Sequence, residues 1–476
     1  MKYLCVIALC LVLGSCNAQK SESNPAKPNI IYINVDDLGW MDTETYGSTF
    51  YETPNITKLS ETGMLFTRGY ASAANCAPSR ACFISGQNTP RHGIYTVNNS
   101  DRGNAKTRKI IPVKNTEDLA DANVTISEML QKAGYRTGIF GKWHLGKDAR
   151  TQGFDVNIGG DHRGNPGKNG YFSPYNIKNI NDNNPGENLT DRLTQEAIKF
   201  IIENKNDPFF VYLPYYAVHT PLATTSELEK KYNEKGGDKH QNKAVYAGMI
   251  ETVDKNVGLI LDALKALSLK NTVIVFTSDN GGIRDISSQH PLRAGKGSYY
   301  EGGIRVPYII SWEGVVKPKT VSEVPITNLD FYPTFMDIAS IEMQDKILDG
   351  SSILPVLKGE TIDDRDLFFH FPIYLQAYAG KRDDARDPLF RTRPGSVIID
   401  GDWKLHQYFE DNEIELYNIK KDLGERHDLA KTHPEKVSEL LKKLNDWRTG
   451  INAPIPTEPN PKYIPDFKPN NSNKKR

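Results

Sequence analysis

The stretch Cys76-Ala-Pro-Ser-Arg80 combines a nucleophilic side chain, a helix start and a guanidinium group. Pro78 suits the first turn of a helix, where its missing N–H would have no intrahelical partner, and the apolar run 81–84 can continue that helix. Cys76 is therefore expected just before a helix N-terminus, where backbone N–H groups and the helix dipole favour an anion. Arg80 lies one turn further on and can reach back over the same position. Taken alone, the stretch is also compatible with a buried structural cysteine beside a surface arginine.

Two adjacent pairs of oxygen-bearing side chains, Asp36-Asp37 and Asp279-Asn280, each follow an apolar run. Three carboxylates and an amide are ligands that a hard divalent cation prefers, and no His or Cys cluster has the spacing of a zinc site. Either pair alone is typical of an ordinary turn, because Asp and Asn are common turn residues. If both pairs lie on one edge of a sheet, they predict a metal site.

An α/β sheet is predicted to position these groups. Apolar runs typical of buried strands alternate with helical patterns, which predicts a large, mostly parallel sheet with helices on both faces. In such sheets ligands bind beyond the carboxyl ends of the strands, so polar clusters that follow the strands are expected to meet. The predicted strands are 29–35, 135–140, 208–213, 272–277 and 305–311, and the clusters are 36–39, 141–146, 219–221 and 278–282.

The pattern changes near residue 367. Short strands at 395–406 and 413–418, with a turn at Asp400-Gly401, precede a helix at 434–447. We therefore predict a catalytic domain at 28–366, a small α+β subdomain with an antiparallel sheet at 367–450, and an extended tail at 451–476. Basic and acidic residues number 59 each, so no global field favours binding to nucleic acid.

The N-terminal residues are predicted to direct export. Lys2 precedes an apolar run, 3–13, that is too short to span a bilayer, and Leu13-Gly-Ser-Cys16 resembles a bacterial lipoprotein cleavage box. We expect a signal peptide at 1–15, a lipidated Cys16 and a flexible tether at 16–27, with an ordinary signal peptide as the alternative. The mature protein would then be lipid-anchored in the bacterial periplasm or on the cell surface, and would contact the membrane only through its anchor.

The five cysteines do not predict a disulfide framework. Cys5 and Cys10 would leave with the signal peptide, and Cys16 would carry lipid. Only Cys76 and Cys82 would then remain, too few for a disulfide framework. A bridge between Cys76 and Cys82 is the alternative.

Cys-x-Pro-Ser-Arg followed by a glycine-containing turn resembles the signature of the type I sulfatases, and the resemblance extends from about Pro28 to about Trp447. It implies an alkaline-phosphatase-like fold and a sulfuric ester hydrolase. It also implies that a maturation enzyme oxidises Cys76 to Cα-formylglycine (3-oxoalanine), whose hydrated aldehyde is the nucleophile. The metal ligands implied are Asp36, Asp37, Asp279, Asn280 and the modified Cys76, for Ca²⁺ in preference to Mg²⁺.

The resemblance assigns roles to further residues. Lys142 and His144, two positions apart and so expected on one side of an extended segment, would touch the sulfate and a formylglycine hydroxyl. His219 would protonate the leaving group, Lys296 would be a second sulfate-binding lysine, and Arg80 would add positive charge. The expected substrate is a sulfated glycan such as ulvan, carrageenan or a glycosaminoglycan.

Large loops supply candidates for contacts with neighbouring sugar groups. Tyr171 and Tyr175 are expected to stack on sugar rings, and five basic residues to bind hydroxyl or acidic groups: His162, Arg163, Arg284, His290 and Arg293. Two other functions stay open. One is a phosphonate or phosphate ester hydrolase of the same superfamily, and the other is an inactive, glycan-binding surface lipoprotein with an unmodified Cys76.

Overall fold

The computed structural model describes residues 27–343, 346–378 and 383–468. The predicted signal peptide, the lipidated Cys16, all of the tether except Lys27 and the last eight residues of the predicted tail lie outside the described residues. Across the described residues, no helix combines the length and the apolar character needed to cross a membrane.

The strands of the described residues are, in chain order, β1 (Asn29–Val35), β2 (Met64–Phe66), β3 (Gly69–Tyr70), β4 (Arg136–Phe140), β5 (Val156–Ile158), β6 (Phe209–Pro214), β7 (Thr272–Ser278), β8 (Tyr308–Trp312), β9 (Thr320–Ser322), β10 (Ile326–Thr327), β11 (Leu367–Phe371), β12 (Leu375–Gln376), β13 (Phe390–Thr392), β14 (Gly395–Asp400), β15 (Trp403–Tyr408) and β16 (Ile414–Asn418). The helices are α1 (Pro54–Glu61), α2 (Cys76–Ser85), α3 (Thr89–His92), α4 (Ile126–Lys132), α5 (Leu189–Glu203), α6 (Ser226–Lys235), α7 (Ala244–Ala266), α8 (Glu301–Ile304), α9 (Phe331–Ile338), α10 (Leu354–Leu357) and α11 (Pro434–Gly450).

The main sheet has the strand order β5-β4-β6-β1-β7-β8-β2-β9. Its strands are parallel except β8, which runs antiparallel to both β7 and β2. The central strand β1 is buried along its whole length, as expected for a parallel strand that is covered on both faces, and most of its residues are apolar. The predicted large, mostly parallel sheet is confirmed.

Alternate residues of β1 face two separate cores. Ile31 and Ile33 pack into the core that contains buried residues of α1, α5 and α7. Ile30 and Tyr32 pack into the core formed with α2, α4 and α9. The sheet is therefore sandwiched by helices, and its edges are left for loops.

The chain enters β1 at a fixed point. The hydroxyl of Tyr135 donates a 3.0 Å hydrogen bond to the carbonyl of Pro28, and Lys27 Nζ donates to the carbonyl of Ala133 at 2.8 Å. This entry lies at the opposite end of β1 from Asp36, which follows its last residue.

A second, four-stranded sheet has the order β11-β14-β15-β16 and is antiparallel throughout. Gly401, with φ +55, makes the tight turn between β14 and β15, as predicted. One face packs on Leu440 and Leu444 of α11, and the other packs against Tyr70 and Ile304 of the main body. The predicted C-terminal antiparallel subdomain is confirmed; the exact domain boundaries stay a prediction.

Candidate active site

Four loops that follow neighbouring strands converge at one edge of the main sheet. Because β6, β1 and β7 are adjacent, the residues that follow them must come together. Ligand atoms of Asp36, Asp279 and Cys76 lie within 4.8 Å of one another, and all three residues are buried. The two aspartates were predicted at strand ends. In the structure, Cys76 at the start of α2 lies beside them.

Helix α2 begins at Cys76 itself, one residue earlier than predicted, with Asn75 as an extended N-cap residue. All ten of its residues are buried, and Gly86, with φ +68, ends it. Cys76 and Cys82 are both free thiols, so the alternative disulfide between them is not formed. Residue 76 is thus held at the first position of a rigid, fully packed helix.

Arg80 is buried and points into the same cluster, which rules out a surface position. Its Nε and Nη2 lie 2.9 and 2.8 Å from Oδ2 of Asp279, and Nη1 donates to the carbonyl of Lys142 at 2.9 Å. Burial opposes the charged form, but the Asp279 carboxylate holds the pKa of Arg80 above its usual value. A permanent positive charge therefore lies beside the aspartates.

Two lysines neutralise the other two carboxylates. Lys142 Nζ lies 2.6 Å from Oδ2 of Asp36, and Lys296 Nζ lies 2.7 Å from both carboxylate oxygens of Asp37. Burial raises the pKa of Asp36 above its usual value, and the positive charge of Lys142 opposes that shift. Burial would also raise the pKa of Asp37, but Lys296 and His219 hold it below its usual range.

The oxygen ligands fit a hard divalent cation. Oδ1 of Asp36 and Oδ1 of Asn280 are buried and accept no hydrogen bond from the described residues. Nδ2 of Asn280 donates to Oδ1 of Asp37 at 2.8 Å, so its carbonyl oxygen is turned away from that bond. A buried acceptor without a partner is costly, and a cation bound by carboxylate and amide oxygens would satisfy both atoms.

Two histidines lie beside this cluster. His144 has φ +61, so residues 142–144 do not form the extended segment that the sequence predicted; its Nδ1 has no partner among the described residues. His219 Nδ1 donates to the carbonyl of Thr220 at 2.6 Å, and its Nε2 lies 3.7 Å from Oδ2 of Asp37. Burial, and next the charge of Lys296, lower the pKa of His219 to about 3.

A cavity of about 390 Å³ opens over the cluster, and Cys76, His144, His219 and Lys296 are among the residues that line it. Its outer wall includes Asn98, Arg102, His162, Arg163, Tyr378 and Arg391. Among the described residues that line it there is no carboxylate, so the cavity is suited to an anion. A larger cavity, about 670 Å³, lies at the opposite sheet edge near the start of β7 and contains none of the predicted site residues.

Two of the five basic residues proposed for substrate contacts, His162 and Arg163, line the cavity over Cys76. The other three do not line this cavity and have partners elsewhere, so their contact with substrate stays a prediction. Arg284 pairs with Asp384 at 3.1 Å, the guanidinium of Arg293 lies 3.8 Å from the ring centre of Tyr300, and His290 stacks on His240 with 4.1 Å between ring centres.

Tyr171 and Tyr175 are buried, so the prediction that they stack on sugar rings is also wrong. The hydroxyl of Tyr171 donates to the carbonyls of Tyr216 and His219 at 2.6 and 2.7 Å. Tyr171 therefore fixes the loop that carries His219, whereas the hydroxyl of Tyr175 donates to the carbonyl and to a carboxylate oxygen of Glu187 at 2.9 and 3.0 Å.

Sequence reasoning missed Arg102, Tyr378 and Arg391. Arg102 lies in the loop that precedes α4, and Arg391 lies in the short strand β13. All three residues come from stretches that have no clear periodicity and contain no motif. Their place on the cavity wall depends on tertiary packing alone.

Comparisons with known proteins agree on one family. The profile of the Sulfatase family matches residues 28–341, and the profile of N-sulphoglucosamine sulphohydrolase, C-terminal, matches residues 295–450. A protein described as Sulfatase from Formosa agariphila is 33% identical over 520 aligned positions, covering 92% of each chain. N-acetylgalactosamine-6-sulfatase from Rattus norvegicus is 33% identical, covering 91% of this chain and 87% of its own. The crystal structure of Ps i-CgsB in complex with k-i-k-neocarrahexaose is 30% identical and covers 88% of this chain and 92% of its own, with a TM-score of 0.71.

Proposed function

Because this chain belongs to the sulfatase family of sulfuric ester hydrolases, we propose that it cleaves sulfate esters on a glycan with a nucleophile derived from Cys76. The observation that carries the proposal is the meeting of Cys76, Asp36 and Asp279 within 4.8 Å at the base of a cationic cavity. Two similar proteins support a glycan substrate. The Rattus norvegicus relative is named N-acetylgalactosamine-6-sulfatase, and Ps i-CgsB was crystallised in complex with k-i-k-neocarrahexaose.

The residues around Cys76 fit a bound cation and an oxidised thiol. Asp36, Asp37, Asp279 and Asn280 would hold Ca²⁺, in preference to Mg²⁺, together with residue 76. The cation would supply positive charge beside the sulfuryl oxygens. Formylglycine at residue 76 would supply, as its hydrate, one hydroxyl that attacks sulfur and a second whose deprotonation releases sulfate and restores the aldehyde.

Three fixed cations of the chain would bind the sulfuryl group and spread its charge. Lys142, Lys296 and Arg80 are each buried and held by a carboxylate at 2.6 to 2.8 Å. Because these groups are held in place and shielded from water, they are oriented in advance toward charge that develops during ester cleavage, and a cation bound by the three carboxylates would leave their own charges available for it.

Two histidines would move the protons. His219 would give a proton from Nε2 to the departing alcohol oxygen, since Nδ1 is engaged by Thr220. A sulfate ester bound nearby adds negative charge, which offsets Lys296 and raises the proton affinity of His219. Burial holds the pKa of His144 well below its usual value, so this residue is neutral and can accept a proton from the second hydroxyl.

The test is activity after co-expression with a formylglycine-generating maturation enzyme. We expect hydrolysis of an aryl sulfate and of sulfated oligosaccharides, an aldehyde at residue 76 by mass spectrometry, and loss of turnover in Cys76→Ser. Undiminished hydrolysis by Cys76→Ser would contradict the proposal. An unmodified Cys76 in an inactive protein would favour the glycan-binding alternative, and preferred cleavage of matched phosphate or phosphonate esters would favour the phosphoesterase alternative.

Export and anchoring form a separate part of the proposal. The cleavage box that ends at Cys16 supports lipidation, and the polar residues that follow support a tether. Labelling cells with a lipid precursor tests this part: we expect label on the mature protein and none on Cys16→Ser. An unlabelled wild-type protein would contradict the anchor without affecting the proposed activity.

A further inference from the structure

Two arginines form part of the outer wall of the cavity over Cys76. Arg391 lies in β13 and is buried, and Arg102 is half-buried in the loop between α3 and α4. Although they are far apart in sequence, both line the same cavity as Cys76 and Lys296. Neither is needed for the bond cleavage described above.

In the described part of the chain, both guanidinium groups are held by neutral acceptors only. Arg102 donates to Oε1 of Gln376 at 3.0 Å and to the carbonyl of Val97 at 3.4 Å. Arg391 donates to the backbone carbonyl of Gln376 at 3.0 Å and to that of Lys296 at 3.2 Å. Nη2 of each arginine has no hydrogen-bond partner among the described residues.

No carboxylate of the described residues forms an ion pair with either of them. Several other arginines that are buried or nearly so do have one, with N–O distances of 2.5 to 3.0 Å: Arg80, Arg305, Arg365 and Arg393. Even Arg163, on the same cavity wall, pairs with Asp161. A guanidinium that is even partly removed from water without a counter-charge is unfavourable, and here a buried one and a half-buried one share one cavity.

The two charges also act on each other. Burial, and next the charge of Arg391, lower the pKa of Arg102 below its usual value. Gln376 keeps the two arginines at a fixed spacing, because its side chain binds one and its backbone binds the other. The ring of Tyr378 lies 3.5 Å from the Arg391 guanidinium and fixes its plane. The pair is therefore rigid before any ligand binds.

We infer that Arg102 and Arg391 form a second anion-binding subsite, which requires a further negative group on the substrate beside the sulfate ester that is cleaved. The inference rests on the proposed function and narrows its substrate class to glycans with a carboxylate or a second sulfate near that ester. Planar guanidinium groups with free N–H donors suit both kinds of oxyanion. The hydrogen bond from Arg391 to the carbonyl of Lys296 makes this subsite continuous with the sulfuryl-binding lysine.

The experiment compares kcat/KM for three probes in the mature enzyme. The probes are a monosulfated amino sugar, its disulfated form, and a monosulfated disaccharide that contains a uronate. We expect wild type to prefer one or both doubly charged probes. Arg102→Gln and Arg391→Gln should each lower that preference about 10- to 100-fold, chiefly through KM, because each removes charged hydrogen bonds that only the doubly charged probes can accept.

Two further variants separate binding from structure. Arg102→Lys keeps the charge and should recover part of the preference, and Arg284→Gln, outside the cavity, should leave the preference as in wild type. Equal losses for all three probes, with a lowered melting temperature, would show that the arginines only support the loop and would overturn the inference. A wild type that hydrolyses all three probes equally well would also overturn it, yet would leave the proposed sulfatase function intact. No hydrolysis of any probe would instead count against that function.

Discussion

Lys142 and Asp36 form an ion pair from which solvent is excluded. Nζ lies 2.6 Å from Oδ2, and neither side chain has any exposed surface. The lysine follows β4 and the aspartate follows β1, so the pair joins loops from two strands that are separated by β6 in the sheet. A pair of this kind contributes little net stability when intact, but breaking it leaves an uncompensated buried charge.

Replacement of Lys142 with Met should therefore lower the free energy of unfolding by about 3–5 kcal/mol in the presence of a chelator. Denaturant titration measures the change. The control is Lys443→Met, whose partly exposed pair with Asp400 at 2.9 Å should cost no more than about 1 kcal/mol. If both substitutions lowered the free energy of unfolding equally, burial of the Lys142–Asp36 pair would not be the cause of the loss.

Calcium should stabilise the protein through the oxygen ligands at the ends of β1 and β7. A ligand that binds only the folded state at 100 times its Kd adds about 2.7 kcal/mol, so melting temperatures should rise with calcium and fall with chelator. Asp279→Asn should lose this response. Identical melting curves for wild type with calcium and with chelator would contradict the assigned ligands.

The buried His370 should make stability depend on pH. Its Nδ1 lies 2.8 Å from the hydroxyl oxygen of Ser396 and its Nε2 lies 3.0 Å from the carbonyl of Pro454, and burial lowers its pKa to about 3. The unfolded chain binds a proton here below about pH 6.5 and the native state does not, so stability is lost as pH falls from 6.5 toward 3. Between these two pKa values, His370 is expected to contribute about 1.4 kcal/mol per pH unit to the slope of the free energy of unfolding against pH.

Denaturant titrations between pH 4 and 7 check this slope. His370→Gln should reduce it relative to wild type, whereas a substitution of the exposed His427 should not. An unchanged slope in His370→Gln would assign the acid sensitivity to other groups.

A buried charge cluster joins the main body to the antiparallel sheet. Lys404 Nζ on β15 lies 2.9 Å from Glu301 of α8 and 3.0 Å from Glu425, and all three side chains are fully buried. Lys404→Met should cost about 3–5 kcal/mol, because Glu425 loses its lysine partner and Glu301 is left with Arg305 at 3.0 Å. Adding Glu425→Gln should recover part of the loss. A double variant that is no more stable than Lys404→Met would show that the residues do not act as one cluster.

The sequence was informative where apolar runs are long. The strands β1, β4, β6 and β7 were predicted within one or two residues, and their order in the sheet explains why the polar clusters meet. The three-residue strands β2, β5 and β9 were missed because so short a segment has no readable period. The direction of β8 is fixed by its neighbours and not by its own residues.

The residues at the base of the cavity were easier to predict from the sequence than those of its outer wall. Residues such as Asp36 and Cys76 stand in motifs at element ends, so their neighbourhood follows from the strand order. The left-handed backbone of His144 had no local signal. Arg284 and Arg391 have no distinguishing sequence pattern. Packing between distant segments places Arg391 on the cavity wall and Arg284 outside the cavity.

The chain enters β1 at the end of the strand that is opposite to the proposed active site. Pro28 is pinned at one end of the central strand and Asp36 lies at the other, roughly 25 Å away at about 3.3 Å per residue. If the chain is anchored upstream of Pro28, as proposed, the attachment enters the described residues at the end of β1 that is remote from the mouth of the cavity. Under the proposed anchoring, a long glycan could therefore reach the mouth of the cavity without passing the point of attachment.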